Sequence, residues 1–130
     1  MITIRNPEGT PPPEGYHQGV EVSGAVRTLY VAGQVGLLPD GTVAEGFEAQ
    51  ARAAYANMRA VLDAADMDFS NIVKTTTFLL NPDDRPVLGA IRAEFMAGKK
   101  SASTLVYISG LANPELLIEV EAVAVKAVTP

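Results

Sequence analysis

Apolar residues recur at three- and four-residue steps over two stretches of the chain, which is the spacing of an amphipathic helix. The first helix is predicted over residues 43–66. Its apolar stripe consists of Phe47, Ala51, Ala54, Met58, Val61, Leu62 and Ala65. The second helix is predicted to begin at the capping sequence NPDD, residues 81–84, and to end near Gly98. Its predicted stripe consists of Val87, Ile91 and Phe95.

Stretches rich in β-branched residues, some of them alternating with polar residues, predict strands. They cover residues 1–6, 16–23, 27–36, 71–80, 103–109 and 116–127. Residues 7–15 are rich in proline and predict an extended loop, because three consecutive prolines fit neither a helix nor a central strand. The short connection at residues 24–26 predicts a hairpin between the second and third strands.

The element order predicted from these patterns is β-β-β-α-β-α-β-β. It indicates the α+β class, with a mixed β-sheet and both helices packed on one face of it. The other face of the sheet then needs a cover, and we expect oligomerisation to provide it. The chain has 130 residues, close to the commonest size of a domain, and we expect a single domain over residues 1–130.

Composition narrows the classes of function. The chain has no cysteine, which excludes thiolate nucleophiles and zinc or iron–sulfur sites with cysteine ligands. Ten basic and fifteen acidic residues give a net charge of -5. That balance disfavours a nucleic-acid partner, because such binding draws much of its affinity from neutralised phosphates. No apolar run suits a signal peptide or a membrane span, so we expect a cytoplasmic protein with no membrane partner.

Few residues are obvious catalysts. The only histidine, His17, rules out a HExxH zinc site and any cluster of several histidines, and we interpret it as a partly exposed strand residue. Glu119 and Glu121 lie two positions apart in a predicted strand and therefore project from the same face. Two interpretations stay open: a solvated or salt-bridged strand face, or a carboxylate that holds water or a polar substrate in a cleft between subunits.

Several segments together resemble the Rid family (YjgF/YER057c/UK114). They are GYHQGVEVS, LYVAGQVGLLPDG, NIVKTTTFL and STLVYISGLANPELLIEVEAVAV, in the family's order and with compatible spacing. The resemblance implies a chorismate-mutase-like fold and a homotrimer with ligand sites in clefts between subunits. It also implies deaminase-type hydrolysis of reactive enamines and imines, such as 2-aminoacrylate, to 2-keto acids and ammonia. The best-known members need no cofactor.

The resemblance also assigns residues. Glu119 matches the glutamate that helps to place the attacking water, and Tyr16 and Gly33 match residues of the substrate site. The family motif PARSxV reads SASTLV in this chain, so Ser103 stands where an arginine grips the substrate carboxylate, and Thr104 follows it. A serine hydroxyl carries no charge and cannot form the two parallel bonds of a guanidinium with a carboxylate. A smaller or uncharged substrate therefore suits Ser103 better than 2-aminoacrylate.

Three functions follow as hypotheses. The first is a Rid-like, cofactor-independent hydrolase of imines, enamines or a related carbonyl-derived metabolite, with Glu119 as the catalytic residue. The second is a non-catalytic trimer that binds a small metabolite or a partner protein, motivated by the missing arginine. The third is an endoribonuclease or translation inhibitor, an activity attached to parts of the family. The acidic charge and single histidine argue against that third function.

Overall fold

A computed structural model describes residues 1–128 of the chain. It has six strands and two α-helices in the predicted order. The elements are β1 (Ile2–Arg5), β2 (Gly19–Val22), β3 (Val26–Val35), α1 (Phe47–Ala64), β4 (Ile72–Leu79), α2 (Arg85–Met96), β5 (Ala102–Tyr107) and β6 (Ile118–Ala127). Single 3-10 turns precede β4 at Phe69–Asn71 and α2 at Pro82–Asp84. No helix within residues 1–128 is long and apolar enough to cross a membrane.

Four strands form one mixed sheet, in the order β3-β6-β4-β5. β6 is antiparallel to both of its neighbours, whereas β4 and β5 run parallel. A parallel pair needs a crossover connection, and α2 supplies it between β4 and β5. The predicted α+β class with a mixed sheet is thereby confirmed.

The predicted hairpin between the second and third strands is wrong. β2 pairs with β1 in a separate two-stranded sheet, and β3 pairs with β6. The residues between them explain the difference. The backbone N–H of Ser23 donates to the Met1 carbonyl, which extends the β1–β2 pairing, while the Ala25 carbonyl accepts from Val128 beside β6. Residues 24 and 25 therefore connect the two sheets and do not form a hairpin turn, because Ser23 is bonded to Met1 and Ala25 is bonded to Val128.

The core lies between the sheet and the two helices. Alternate residues of β6 face the helices and are buried, and α1 packs against β3, β6 and α2. The predicted stripe of α1 is confirmed. Its members are buried or pack against the core: Phe47, Ala51, Ala54, Met58, Val61, Leu62 and Ala65. Both helices contribute to one apolar cluster with the sheet, which agrees with the prediction that they cover the same face.

The predicted stripe of α2 is wrong at one position. Ile91 is buried and Phe95 packs against the core, but Val87 is 38% exposed. Residues at four-residue steps advance by about 40° around a helix with each step, so the three cannot all face one direction. Leu88, three positions before Ile91, takes the buried position instead.

Strand register places a second set of side chains on the sheet face away from the helices. The set comprises Tyr30, Lys74, Thr76, Phe78, Glu119, Glu121 and Val123. Tyr30 is 78% exposed, an unusual exposure for a large aromatic side chain in the middle of a strand. We call this surface the open sheet face.

Candidate functional site

The Glu119 side chain lies directly against the backbone of Gly33. Glu119 follows the first residue of β6, and Gly33 sits in an irregularity of β3 between Val31 and Gln34, where the register with β6 shifts. A Cβ atom at position 33 would lie 2.5 Å from the Glu119 Cδ, far inside van der Waals contact. Only a residue without a Cβ leaves the Glu119 side chain in this position. The structure thus brings together two of the residues that the resemblance assigns to the site.

A buried glutamine holds the segment that leads into Glu119. Gln50 of α1 is 2% exposed, and its Nε2 donates to the Glu115 carbonyl over 2.9 Å. Its Oε1 accepts from the Leu117 backbone N–H over 2.8 Å, two residues before Glu119. The nitrogen and the oxygen of the Gln50 amide therefore both hold the segment that leads into β6. Sequence reasoning missed Gln50, although its place inside the apolar stripe of α1, three residues after Phe47, was a signal for it.

A second amide of α1 fixes the end of β3. The Nδ2 of Asn57 donates to the carbonyls of Val35 and Leu37, at 3.2 and 2.9 Å. Gly36 lies between them, and a Cβ there would be 2.5 Å from the Gln50 Cβ. The helix and the strand end therefore meet without an intervening side chain. Gln50 and Asn57 together make α1 the support for both strand segments that flank Glu119.

A second group of predicted site residues lies at the start of β5. The backbone N–H of His17 donates to the Ser101 carbonyl over 2.9 Å, which ties the Tyr16 segment to this strand. Tyr16 is 37% exposed. His17 is half-buried with Nδ1 3.2 Å from the Asn6 amide nitrogen, so its predicted partial exposure is confirmed, but it lies in an isolated bridge with Ala102 before β2 and not in a strand.

Ser103 and Thr104 project from opposite faces of β5. The half-buried Ser103 faces the helix side, where its Oγ accepts from the Thr75 hydroxyl over 3.1 Å. Thr104 is exposed on the open sheet face, and its Oγ1 accepts from the Lys74 ammonium over 2.7 Å. The position where the family motif has arginine is therefore occupied by a small side chain that is engaged with a neighbouring hydroxyl.

The two groups stay apart within one chain. Ser103 is in register with Thr75 of β4, whereas Glu119 is in register with Phe78, and β4 lies between their strands. That offset corresponds to roughly 10 Å along the strands and roughly 10 Å across them. A single chain thus does not bring the Tyr16–Ser103–Thr104 group into contact with the Glu119–Gly33 pair.

Glu121 lines a cavity on the open sheet face. This cavity has a volume of about 420 Å³ and is also lined by Tyr30, Lys74 and Thr76. Both glutamates leave the strand on the same side, as their spacing predicted, and the atoms nearest to a Cβ at position 33 belong to Glu119. Among residues 1–128, no group of three His, Cys, Asp or Glu side chains is arranged to hold a metal ion.

The chain is similar to known proteins in both sequence and fold. The family model described as Endoribonuclease L-PSP matches residues 8–126, nearly the whole chain. The chain belongs to this family, the Rid family. That membership confirms the resemblance seen in the sequence. A solved Rid family protein of unknown function, YyfB from Yersinia pestis, superimposes with a TM-score of 0.82 at 32% identity, covering 95% of this chain and 97% of that one.

Curated Rid relatives carry functional names. The 2-iminobutanoate/2-iminopropanoate deaminase of Mus musculus is 34% identical over 113 residues, covering 85% of this chain and 81% of the relative. A RutC family protein of Pyrococcus horikoshii is 32% identical over 122 residues, covering 92% of this chain and 94% of the relative. The similarity extends over most of each protein.

Proposed function

We propose that this protein is a cofactor-independent hydrolase of deaminase type that acts on small reactive imines or enamines, with its site in a cleft between the subunits of a homotrimer. The observation that carries the proposal is the Glu119 carboxylate held against the bare backbone of Gly33. The names of relatives at 34% identity, which are 2-iminobutanoate/2-iminopropanoate deaminases, support the same reaction class.

The reaction needs one group that moves protons and a place that polarises the C=N bond. Glu119 accepts a proton from water as the oxygen adds to the carbon of the protonated imine, and it returns that proton to the nitrogen of the carbinolamine. The C–N bond then breaks, the carbonyl forms, and the leaving ammonia takes up the hydroxyl proton. The products are a ketone, in the family a 2-keto acid, and ammonia, so one water is consumed for each imine. Backbone N–H groups near Gly33 or Ser103 would polarise the reacting group, and Tyr16 would line the cleft.

A neighbouring subunit completes the site in this proposal. The Tyr16–Ser103–Thr104 group and the Glu119–Gly33 pair lie at separate places on one chain, so a substrate that touches both needs the second group from another copy. The open sheet face, with its exposed Tyr30, supplies the surface through which copies would assemble. Three copies of a single domain form a closed arrangement of the kind in which each cleft is built from two neighbours.

Ser103 argues for a changed substrate preference. Its hydroxyl accepts from Thr75, and it offers no charge to a substrate carboxylate. Loss of a bidentate charged contact at this position would cost on the order of 2–3 kcal/mol, or about a hundredfold in kcat/KM for a substrate bound that way. The substrate is therefore either uncharged there or anchored by other residues.

The test is the release of keto acid from an imine generated in situ. A dehydratase acting on serine or threonine would supply the enamine, which tautomerises to the imine, and semicarbazide would trap whatever is not hydrolysed. We expect the protein to raise the rate of keto-acid release and to lower the trapped fraction. Equal rates with and without the protein, across imines with and without a carboxylate, would refute the proposal.

A second candidate is a non-catalytic trimer that binds a small metabolite or a partner protein. The observation that favours it is again the uncharged, hydrogen-bonded Ser103. Thermal-shift titration with keto acids and other carboxylates tests the metabolite-binding form of this candidate: a raised melting temperature without any turnover would support it. RNA cleavage, the activity in the family model's description, stays the remote alternative because the chain has a net charge of -5.

A further inference from the structure

A cavity of about 300 Å³ opens beside the C-terminal half of α2, outside the contacts described above. Ala93 and Met96 contribute apolar surface to its lining. Three cationic side chains, Arg92, Lys99 and Lys100, line it as well. The cavity therefore combines positive charge with a small apolar surface, the two features that a short-chain carboxylic acid requires of a binding site.

The positive charge in this cavity is only partly balanced by the chain itself, through Glu14 in the lining and through Asp68, which lines an adjoining cavity with Lys99. Within residues 1–128, Arg92, Lys99 and Lys100 take part in none of the ion pairs, and Glu14 is the one acidic residue in the lining. Arg52 of α1, by contrast, is paired with Glu94 over 2.7 Å. Three cations against one carboxylate leave a net positive cavity on an acidic protein, which attracts a small anion.

Arg92 is held in place before any ligand arrives. Its Nη2 donates to the Gly15 carbonyl over 2.6 Å, and the side chain is half-buried. A guanidinium has five N–H donors, so this bond leaves others free for a carboxylate. The backbone at Ala97 and Gly98 has positive φ angles of 49° and 81°, which ends α2 in a sharp turn and brings the two lysines that follow to the same cavity.

The space beside Arg92 is bordered by a glycine. Gly89 lies three residues before Arg92 and so on the same side of α2. A Cβ at this position would meet nothing within 4 Å. Glycine in the middle of a helix is unfavourable, and neither its φ angle nor a close contact requires it here. An open position of this kind fits a site that admits a ligand.

We propose that this cavity binds the carboxylate of a small 2-keto or 2-imino acid, with Arg92 as its principal anchor and Lys99 and Lys100 in support. Gly15 joins the cavity to Tyr16, and the Tyr16 segment is bonded to the start of β5, where Ser103 lies. Arg92 would thus replace from α2 the charge that Ser103 lacks. The identity of the acid rests on the proposed function, whereas the anion site itself does not.

The test is calorimetric titration of the full-length protein with 2-oxobutanoate, and with 2-butanone as a ligand of similar length without a carboxylate. We expect 2-oxobutanoate to bind and 2-butanone not to. Arg92→Gln should weaken binding of the acid at least tenfold, whereas Arg85→Gln, the same change at an exposed position of the same helix, should leave it unchanged. Gly89→Leu should abolish binding by filling the cavity.

Each outcome separates this inference from the proposed function. Binding that depends on Arg92, in a protein without turnover, would support the anion site and count against the hydrolase. Turnover with a KM that is the same in wild type, Arg92→Gln and Gly89→Leu would support the hydrolase and overturn the assignment of Arg92 as the anchor of its substrate. Absence of 2-oxobutanoate binding by wild type would overturn the anion site itself. Circular dichroism of each variant shows whether a loss reflects unfolding instead.

Discussion

At the scale of residues, the account depends on the contact between Glu119 and Gly33. Nothing in the local sequence around either residue predicts the other, because they lie on β6 and β3 and meet only through the register of those strands. The glutamate is half-buried against the bare backbone. Such a carboxylate has a defined position relative to the backbone N–H groups nearby, which is what a group that places water requires.

Gly33→Ala should displace the Glu119 carboxylate without destabilising the fold. The added methyl group would overlap the Glu119 side chain, which is flexible and can turn away, so the fold should survive. Displacement of the carboxylate by about 1 Å should lower kcat/KM about a hundredfold. Gly110→Ala is the matched control, because a Cβ there meets nothing within 4 Å. A lower kcat/KM in steady-state kinetics, together with an unchanged thermal unfolding temperature, would support this role of Gly33. Full activity in Gly33→Ala would contradict it.

Ser103→Arg should restore the carboxylate contact of the family motif. β5 is an edge strand and Ser103 is only half-buried, so a longer side chain can leave the sheet. A bidentate contact should raise kcat/KM for 2-aminoacrylate by up to about a hundredfold. Ser103→Gln, which is long and polar but uncharged, should not produce this gain. A folded Ser103→Arg protein with no gain over Ser103→Gln would show that this position does not face the substrate.

The residue scale is also where sequence reasoning is weakest. Tyr16, Gly33, Ser103, Thr104 and Glu119 were assigned through the family resemblance, and their roles stay predictions. The sequence does not show which of these side chains lie close to one another in the fold. Neighbouring residues of a strand project from opposite faces, but the hydrogen bonds to Thr75 and Lys74 are needed to identify which face Ser103 and Thr104 each occupy.

At the scale of elements, α1 supports the candidate site. Its buried face is apolar except at Gln50, whose amide bonds both the carbonyl and the N–H of the segment before β6. A glutamine in an apolar stripe looks like a defect when only periodicity is considered. In the fold it forms hydrogen bonds with two backbone groups of this partly buried segment.

Gln50→Ala should therefore destabilise the fold. Removal of the amide leaves the Glu115 carbonyl and the Leu117 N–H without their partner, at a cost of about 2 kcal/mol. For a domain of this size that corresponds to a melting temperature lower by roughly 5–10 °C. Gln18→Ala is the control, since Gln18 also makes two side-chain bonds but is exposed, so water can replace them. Equal melting temperatures for both variants would contradict this role.

Element prediction succeeded where periodicity alone decides and failed where pairing decides. The helices, strands and their order followed from apolar spacing. The pairing of β2 with β1 did not, because nearness in sequence favoured β3 while the backbone groups of Ser23 were taken by Met1. Val87 was misplaced for a related reason: a row of residues at four-residue steps drifts around the helix and leaves the buried face.

At the scale of the whole molecule, the open sheet face is exposed in a single chain. We expect two further copies of the chain to cover it in a homotrimer. Size-exclusion chromatography with light scattering should give three times the 13.7 kDa chain mass. Tyr30→Glu places a charge in the middle of this face and should lower the mass to that of one chain. Val87→Glu, an exposed apolar residue on α2, should leave the trimer intact. A monomeric wild-type protein would contradict the assembly.

Assembly and chemistry are linked in this account. If each cleft takes the Glu119–Gly33 pair from one copy and the Tyr16–Ser103–Thr104 group from the next, the monomeric Tyr30→Glu protein should lose activity although Tyr30 is in neither group. The sheet, the helices and the uncovered face could be predicted from the sequence. The separation of the two groups within one chain could not, because it depends on which strands are neighbours in the sheet.

The most direct test of the central claim compares two glutamates of the same strand in the imine-hydrolysis assay. Glu119→Gln should lower kcat/KM by about 10²-fold or more, the usual contribution of a general acid–base. Glu121→Gln, two residues away on the same face but in the lining of the cavity beside Tyr30, should stay close to wild type. If both variants retain wild-type activity, or if only Glu121→Gln loses it, Glu119 is not the residue that moves the protons.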